Sequence, residues 1–325
     1  MSNNNRLSAP TIRLSSQAMA CEFAVILNQN DHAAGDAGSL ALERVDTLSK
    51  CMTVYEPNSE LSLLNTHRSA ASVSDDLMRV LSRSMSLFHS TEGRFDPTAG
   101  PLIELWRTCR ADQRVPTDLE IETTLRRVDA NHIALDGSAA RLGADVEVNL
   151  GAIGKGFALD EASSTMLDNG SDCWLLHGGR SSIIARGSHN DQGGWPVGIG
   201  NPIFTNRRLG IVILENEALG TSGSNIQYFR HRGKRYGHIL DPKTGWPANQ
   251  VASVTILAPT ATEADALSTA FFVGGVEFAR IYCDNHPEIS AILIPFPESG
   301  TTIRPVLVNM PADRVVWNKD QVDLS

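Results

Sequence analysis

The order of apolar patterns along the chain predicts an α+β fold in one compact unit. Three observations carry that prediction. Apolar residues at helical spacing fill much of the first third. Short strand patterns dominate the remainder. The two kinds of segment mix without the regular βαβ alternation of a doubly wound sheet.

In chain order, "CEFAVIL" reads as a strand, and "AGSLALERVDTLSKCM" places Leu40, Ala41, Val45, Leu48 and Met52 on one helical face. "DDLMRVLSRSMSLFHS" repeats that spacing with Leu77, Val80, Leu81 and Phe88, and Gly93 follows as a stop. "TDLEIETTLRRV" opens with Thr117 and Glu120 in capping-box register. In "HIALDGSAARLG", Asp136-Gly137 is a hairpin turn pair. "GFALDEASSTMLDNG" reads as a helix ending near Gly170. Five strands then follow: "CWLLHGG", "SSIIARG", "LGIVIL", "YFRHRGKRYGHIL" and "ASVTILA". Two helices, "EADALSTAFFV" and "VEFARIYCDNH", precede the strands "AILIPF" and "TIRPVLV". The helix-rich first third forms one lobe on this reading and the strand-rich remainder another. No Pro/Gly/Ser linker divides them, so residues 11–325 are expected to be one domain behind a disordered 1–10.

With 325 residues, 42% of them hydrophobic and 20% charged, the chain suits a globular protein with a sizeable core. A net charge of −9 argues against a nucleic-acid surface. The basic cluster in "YFRHRGKRYG" is local and reads as a hairpin tip. The five cysteines are widely spread, without C-x-x-C, which fits reduced thiols. Cys21 follows small residues, as a lipoprotein cysteine would, but the N-terminus has no apolar export segment. A cytoplasmic location and no membrane insertion are the expectation.

Several stretches hold residues suited to chemistry, each with a plain structural reading beside it. In "EADALSTAFFV", Asp265 and Thr269 stand four apart, so both oxygens project from one helix face. They are hard donors fit for Mg²⁺. Equally, an Asp in a first helical turn is favoured by the dipole and a Thr bonds back to its own helix. In "GHILDPKTGWP", His238 is a general base or a structural strand histidine. "GRFDPTAGPLIELW" is a rigid irregular path that holds a ligand near Asp96 or links two helices. In "YEPNSELSLLN", Tyr55 stacks on a planar ring or fills a core pocket. "LGTSGSN" and "LLHGGRSSIIARG" let backbone approach a ligand closely. "VNLGAIGKGFALD" is not a phosphate-binding P-loop: its first glycine is two residues too close, and Gly156 replaces the metal-binding hydroxyl.

Taken together, these segments resemble the ApbE family of FAD:protein FMN transferases from about Met19 to Val273. The most specific matches are H-I-L-D-P-K-T-G, A-D-A-L-S-T-A and I-G-K-G-F-A-L-D. The resemblance implies a two-lobed fold with mixed or antiparallel sheets and a flavin cleft between the lobes. It implies Mg²⁺-dependent transfer of the FMN half of FAD to a Thr or Ser hydroxyl of an acceptor protein, with release of AMP. Members commonly modify redox or electron-transfer proteins. Carried over residue by residue, the metal falls to the Ala152 carbonyl, Asp265 and Thr269, with Ser268 at a further position. FAD contacts fall to Met19, Tyr55, Arg94, Phe95, Asp96, Asn149, Lys155 and Ile239. His238 matches a histidine given a role in proton transfer, and Asp265 and His238 are the catalytic pair. Three positions depart from the pattern. Asn149 stands where an aspartate is usual, Met19-Ala20-Cys21 replaces Met-Gly-Thr, and Arg94 replaces a small residue, either to reach a phosphate or to crowd the pocket. An FAD pyrophosphatase, or an FAD-binding protein without turnover, is the alternative.

Overall fold

A computed structural model of the chain describes residues 11–29, 31, 34–191, 193–224, 228–297 and 300–323. The expected disorder of residues 1–10 lies outside them. Strands β1 (Thr11–Ala18) and β2 (Cys21–Asn28) come first. Then come α1 (Ala34–Met52), α2 (Glu60–His67), β3 (Ser69–Ala70), α3 (Asp75–Ser90), α4 (Gly100–Ala111) and α5 (Asp118–Leu125). The middle holds β4 (Ile133–Asp136), β5 (Ala139–Leu142), α6 (Gly154–Asp168), β6 (Trp174–Gly178), β7 (Ser182–Arg186), β8 (Trp195–Gly200), β9 (Arg208–Leu214) and β10 (Glu217–Gly223). The last part holds β11 (Tyr228–His231), β12 (Lys234–Gly237), β13 (Ser253–Ala258), α7 (Ala261–Asn285), β14 (Ser290–Ile294), β15 (Val306–Val308) and β16 (Val315–Trp317).

The main sheet runs β1-β2-β6-β7-β10-β13-β14-β15. Its pairings are all antiparallel. Strand alternation sends successive side chains to opposite faces. Thus Trp174 and Leu176 of β6 join the larger core under α1, α6 and α7, while Leu175 joins the opposite core. In β14, Ala291 and Leu293 face the helices and Ile292 and Ile294 face away. That second face is covered by the small sheet β16-β9-β8 through Trp195, Val212 and Leu214. A third core, Leu102, Trp106, Ile121, Tyr236 and Leu240, fastens the β11–β12 hairpin to α4 and α5.

The α+β class follows from this arrangement, with antiparallel rather than mixed pairing. The strands do not divide as the helix-rich and strand-rich thirds suggest, because β2 pairs with β6 and so places the first hairpin in the main sheet. Among the described residues no helix is long and apolar enough to cross a membrane.

Local signals hold where they are local. Thr117 and Glu120 form a complete capping box on α5. The two helices expected after Glu263 are both present and follow each other directly as α7, with the helical path interrupted between them at Gly275, whose φ is 72°. Helix α4 begins inside the stretch read as irregular loop. Pro101 sits in its first turn, where a missing N–H costs nothing. Strand β10 was legible only as a small-residue segment. It is a central strand, and its small residues are what allow α7 to lie on it: a Cβ on Gly220 would meet the Ala264 carbonyl oxygen at 2.3 Å.

Candidate active site

Helices α6 and α7 begin side by side, and the reason is a glycine. A Cβ on Gly156 would meet the backbone oxygen of Ala261 at 2.1 Å and the amide nitrogen of Thr262 at 2.8 Å. Only hydrogen at that position lets the two first turns touch. Asp160, one turn along α6, then caps α7. Its Oδ1 accepts from the Ala261 N–H at 2.8 Å and its Oδ2 from the Thr262 N–H at 2.9 Å and the Thr262 hydroxyl at 2.5 Å. Burial pushes the Asp160 carboxyl up to about 6, against those three donors.

The contact fixes Asp265. This carboxylate is 5% exposed. Its Oδ2 accepts from the Gly156 N–H at 2.8 Å, and its Oδ1 accepts from the Ser182 hydroxyl of β7 at 2.6 Å. Lys155 Nζ lies 3.5 Å from Oδ2. An ionised carboxylate offers about four lone-pair sites, so these contacts leave acceptor capacity. In a regular helix the Gly156 N–H would serve the carbonyl four residues back, at Ala152. Here it serves Asp265, and among the described residues no hydrogen bond engages the Ala152 carbonyl. The turn residues 151–153 therefore present a free backbone oxygen next to a charged first turn.

A hydroxyl cluster and a cysteine lie near these groups. Ser222 of β10 lies 2.8 Å from the Ser268 hydroxyl and 3.3 Å from that of Thr269, oxygen to oxygen. Ser268 also donates to its own helix at the Asp265 carbonyl, 2.8 Å away. Cys21 follows the β1–β2 turn, in which Met19 and Ala20 both have positive φ, 48° and 58°. Burial pushes its thiol up; the Lys155 charge opposes that rise and the Asp265 charge adds to it. The hairpin tip thus shares the electrostatic surroundings of Lys155 and Asp265, with the Met19 N–H held 3.2 Å from the Ser49 hydroxyl.

The other sequence-derived candidates lie on the segments before α2, α4 and α6 and after β12. Asn149 accepts from the Gly151 N–H at 2.9 Å through its side chain, and its own N–H donates to the Pro97 carbonyl at 2.7 Å. This ties the glycine turn to the loop that carries Arg94, Phe95 and Asp96. In that loop Phe95 is core, 2% exposed. Asp96 Oδ1 accepts from the Thr98 N–H at 2.7 Å and its hydroxyl at 2.5 Å, while burial pushes its carboxyl up. The Arg94 guanidinium stacks 4.0 Å over the Phe278 ring and pairs with Glu92 at 2.7 Å. Tyr55 is 82% exposed, so it does not fill a core pocket. Ile239 is buried and its carbonyl accepts from the Ala248 N–H at 2.9 Å. His238, exposed, follows β12 directly.

A cavity of about 550 Å³ has Ser224, after β10, and Val273 of α7, one turn past Thr269, among its lining residues. The loop Asp241–Pro247 forms another wall. There the Asp241 side chain accepts from the Lys243 N–H at 2.9 Å and the Thr244 hydroxyl at 3.2 Å. The structure thus joins Lys155, Asp265, Ser268 and Thr269 in one bonded cluster, with the Ala152 carbonyl in the turn just before it.

Ser182 and Ser222 were not singled out by sequence, and Cys21 was noted there only for the small residues before it and as part of a departure from Met-Gly-Thr. The first two lie in the small-residue segments already noted, and the pairing of β7 with β10 next to α7 carries them inward. Among the described residues no group of three or more His, Cys, Asp and Glu gathers. The donor set is one carboxylate with hydroxyls and a carbonyl, suited to a hard cation that takes its remaining ligands from a substrate.

The chain is similar to known proteins in sequence and in fold. The model of the ApbE family matches residues 19–293. An FAD:protein FMN transferase of Haemophilus influenzae is 32% identical over 241 residues, covering 70% of this chain and 69% of that protein. One of Treponema pallidum is 31% identical over 283 residues, covering 79% and 77%. The solved flavin transferase ApbE of Vibrio cholerae superposes with a TM-score of 0.77 at 27% identity, covering 92% of this chain and 98% of that one.

Proposed function

The chain belongs to the ApbE family, and from that premise we propose that it is an FAD:protein FMN transferase. The FMN half of FAD passes to a Thr or Ser hydroxyl of an acceptor protein and AMP leaves. The hydroxyl oxygen forms a bond to the FMN phosphorus. The bond from that phosphorus to the bridging oxygen breaks, and AMP keeps the electron pair. His238 accepts the proton of the attacking hydroxyl, a contribution of about 10²–10⁴-fold.

One observation carries this reading. A buried carboxylate, Asp265, accepts from the Gly156 N–H of the first turn of α6 with Lys155 Nζ 3.5 Å away, beside a turn whose Ala152 carbonyl accepts no hydrogen bond among the described residues. Cleaving a pyrophosphate requires positive charge at its oxygens, since they repel a nucleophile. Lys155 supplies one such charge. The oxygens of Asp265, Thr269 and Ala152 fit Mg²⁺, and when bound it would draw negative charge from the breaking P–O bond. Ser268 is the weaker candidate for that set, because its hydroxyl already donates to the Asp265 carbonyl. At Arg94, Phe95 and Asp96 the side chains are engaged within the protein, so backbone is what that loop offers FAD. Asn149 orients the glycine turn through Gly151. Met19, Tyr55 and Ile239 border the flavin on this reading.

The test incubates the purified protein with FAD and Mg²⁺, with and without candidate redox proteins as acceptors. AMP is measured by chromatography and bound flavin by fluorescence of the denatured acceptor. Transfer predicts AMP in equal amount to labelled acceptor. AMP with free FMN and no labelled protein would instead mean hydrolysis, and FAD left intact would mean binding without turnover.

A further inference from the structure

We propose that the β11–β12 hairpin is the docking element for the acceptor, and that it recognises an acidic segment flanking the accepting hydroxyl. This rests on the transfer reading, since a transferase needs a surface for its protein substrate. From Tyr228 to Gly237 the chain carries Arg230, Arg232, Lys234 and Arg235 and no acidic residue, within a protein of net charge −9. All four are exposed. Ion pairs elsewhere engage arginines such as Arg44, Arg79, Arg114 and Arg314, while none among the described residues engages these four.

The register makes the arrangement costly. Arg230 stands directly opposite Arg235, and His231 opposite Lys234. Like charges directly across an antiparallel pair are destabilising. The fold retains them and anchors the hairpin by other means. Phe229 and Tyr236 stack at 5.4 Å, Trp106 lies 5.5 Å from Tyr236, and the His231 ring Nδ1 is 2.9 Å from the Gln113 carbonyl oxygen. Arg235 is held in place over the Tyr228 ring at 3.9 Å, with its guanidinium donating to the Ser224 carbonyl. A rigid hairpin with an uncompensated charge row is what a surface awaiting an anionic partner looks like.

Its position identifies the partner. Lys234 and Arg235 line the 550 Å³ cavity, as does Val273, one turn along α7 from Thr269. His238 follows the hairpin in the chain. An acidic segment seated on the cations would carry a neighbouring hydroxyl toward the cavity and His238. A nucleic acid is disfavoured by the small extent of the patch and by the negative charge of the rest of the chain.

The test uses the full-length protein and three labelled sixteen-residue peptides, each with one threonine, flanked by Asp/Glu, by Asn/Gln or by Lys. Anisotropy is read at low and at physiological salt. The acidic peptide should bind, and weaken at least tenfold in the double variant Arg230→Glu with Arg232→Glu and also as salt rises. The neutral and basic peptides should not bind. The same variant places Glu opposite Arg235, so its melting temperature should hold or rise, which separates lost docking from lost folding. FAD affinity, read by flavin fluorescence, should not change. Equal binding of all three peptides, full acidic-peptide binding by the variant, tighter binding of a twelve-base-pair DNA duplex, or a loss confined to FAD affinity would each overturn the proposal. Absence of AMP release from the wild type would overturn the transfer reading and leave the peptide result standing by itself.

Discussion

Replacing Gly156 with alanine adds one methyl group where the structure has no room for it. The new carbon would lie 2.1 Å from the Ala261 oxygen and 2.5 Å from its carbonyl carbon. Both are backbone atoms and neither can rotate away. To regain an ordinary contact the first turns of α6 and α7 must separate by roughly 1 Å. That stretches the 2.8 Å bond from the Gly156 N–H to Asp265 beyond hydrogen-bond range, and strains the 2.8 and 2.9 Å bonds from α7 to Asp160. Overpacking costs about 1–3 kcal/mol, and a lost hydrogen bond to a charged group about 1.5–3 kcal/mol. A net loss of about 3–5 kcal/mol follows, or roughly 4–7 °C in melting temperature for a chain of this size. Gly154 is the control, two residues away in the same turn. Its Cβ would find Leu150 and Met52 only at 3.8 and 3.9 Å, so alanine fits there and gains up to ~1 kcal/mol of helix propensity. The assay pairs thermal denaturation with Mg²⁺-dependent AMP release. Gly154→Ala should melt at or above the wild type and keep its activity. Gly156→Ala should melt lower and, at a temperature where it remains folded, lose at least about 100-fold in AMP release, near 2.7 kcal/mol. Equal behaviour of the two variants would refute the claim that this contact positions Asp265.

Two other perturbations follow from the same geometry. Asp160 has its carboxyl raised from 3.8 to about 6 in the folded protein. The folded state then holds a proton that the unfolded state has released, so stability falls as pH rises between about 4 and 6, by up to about 3 kcal/mol. Urea denaturation across that range should show the decline in the wild type and a flatter profile in Asp160→Asn; parallel profiles would count against it. His238→Asn should slow transfer to an acceptor hydroxyl by about 10²–10⁴-fold with FAD affinity unchanged, and should remove one limb of the pH–rate profile. Undiminished transfer would remove His238 as the base.

What sequence could and could not reveal divides along the range of the forces involved. The α5 cap and the turn at Asp136-Gly137 were legible because their partners are a few residues apart. Asp265 and Thr269 were legible as a pair because a helix fixes their spacing. Strand β10 was not, since its Gly and Ser content opposes strand propensity and only the close approach of α7 explains it. Ser182 and Ser222 reach the site through the pairing of β7 with β10, which no local pattern announces. At Arg94 the sequence left two readings, reaching a phosphate or crowding the pocket, and neither could foresee the stacking on the Phe278 ring, 184 positions along the chain. The capping role of Asp160 was likewise invisible, because its partners, Ala261 and Thr262, belong to another helix.

The central claim is that Asp265, with Thr269 and the Ala152 carbonyl, grips a divalent ion on the pyrophosphate of FAD. Mn²⁺ binding followed by electron paramagnetic resonance, with FAD present, tests it most directly in the wild type and in Asp265→Asn. The account predicts one tight Mn²⁺ per wild-type protein that depends on FAD, and at least about tenfold weaker binding in the variant, near 1.4 kcal/mol. Equal Mn²⁺ affinity in the two proteins, with both folded and both binding FAD, would contradict it.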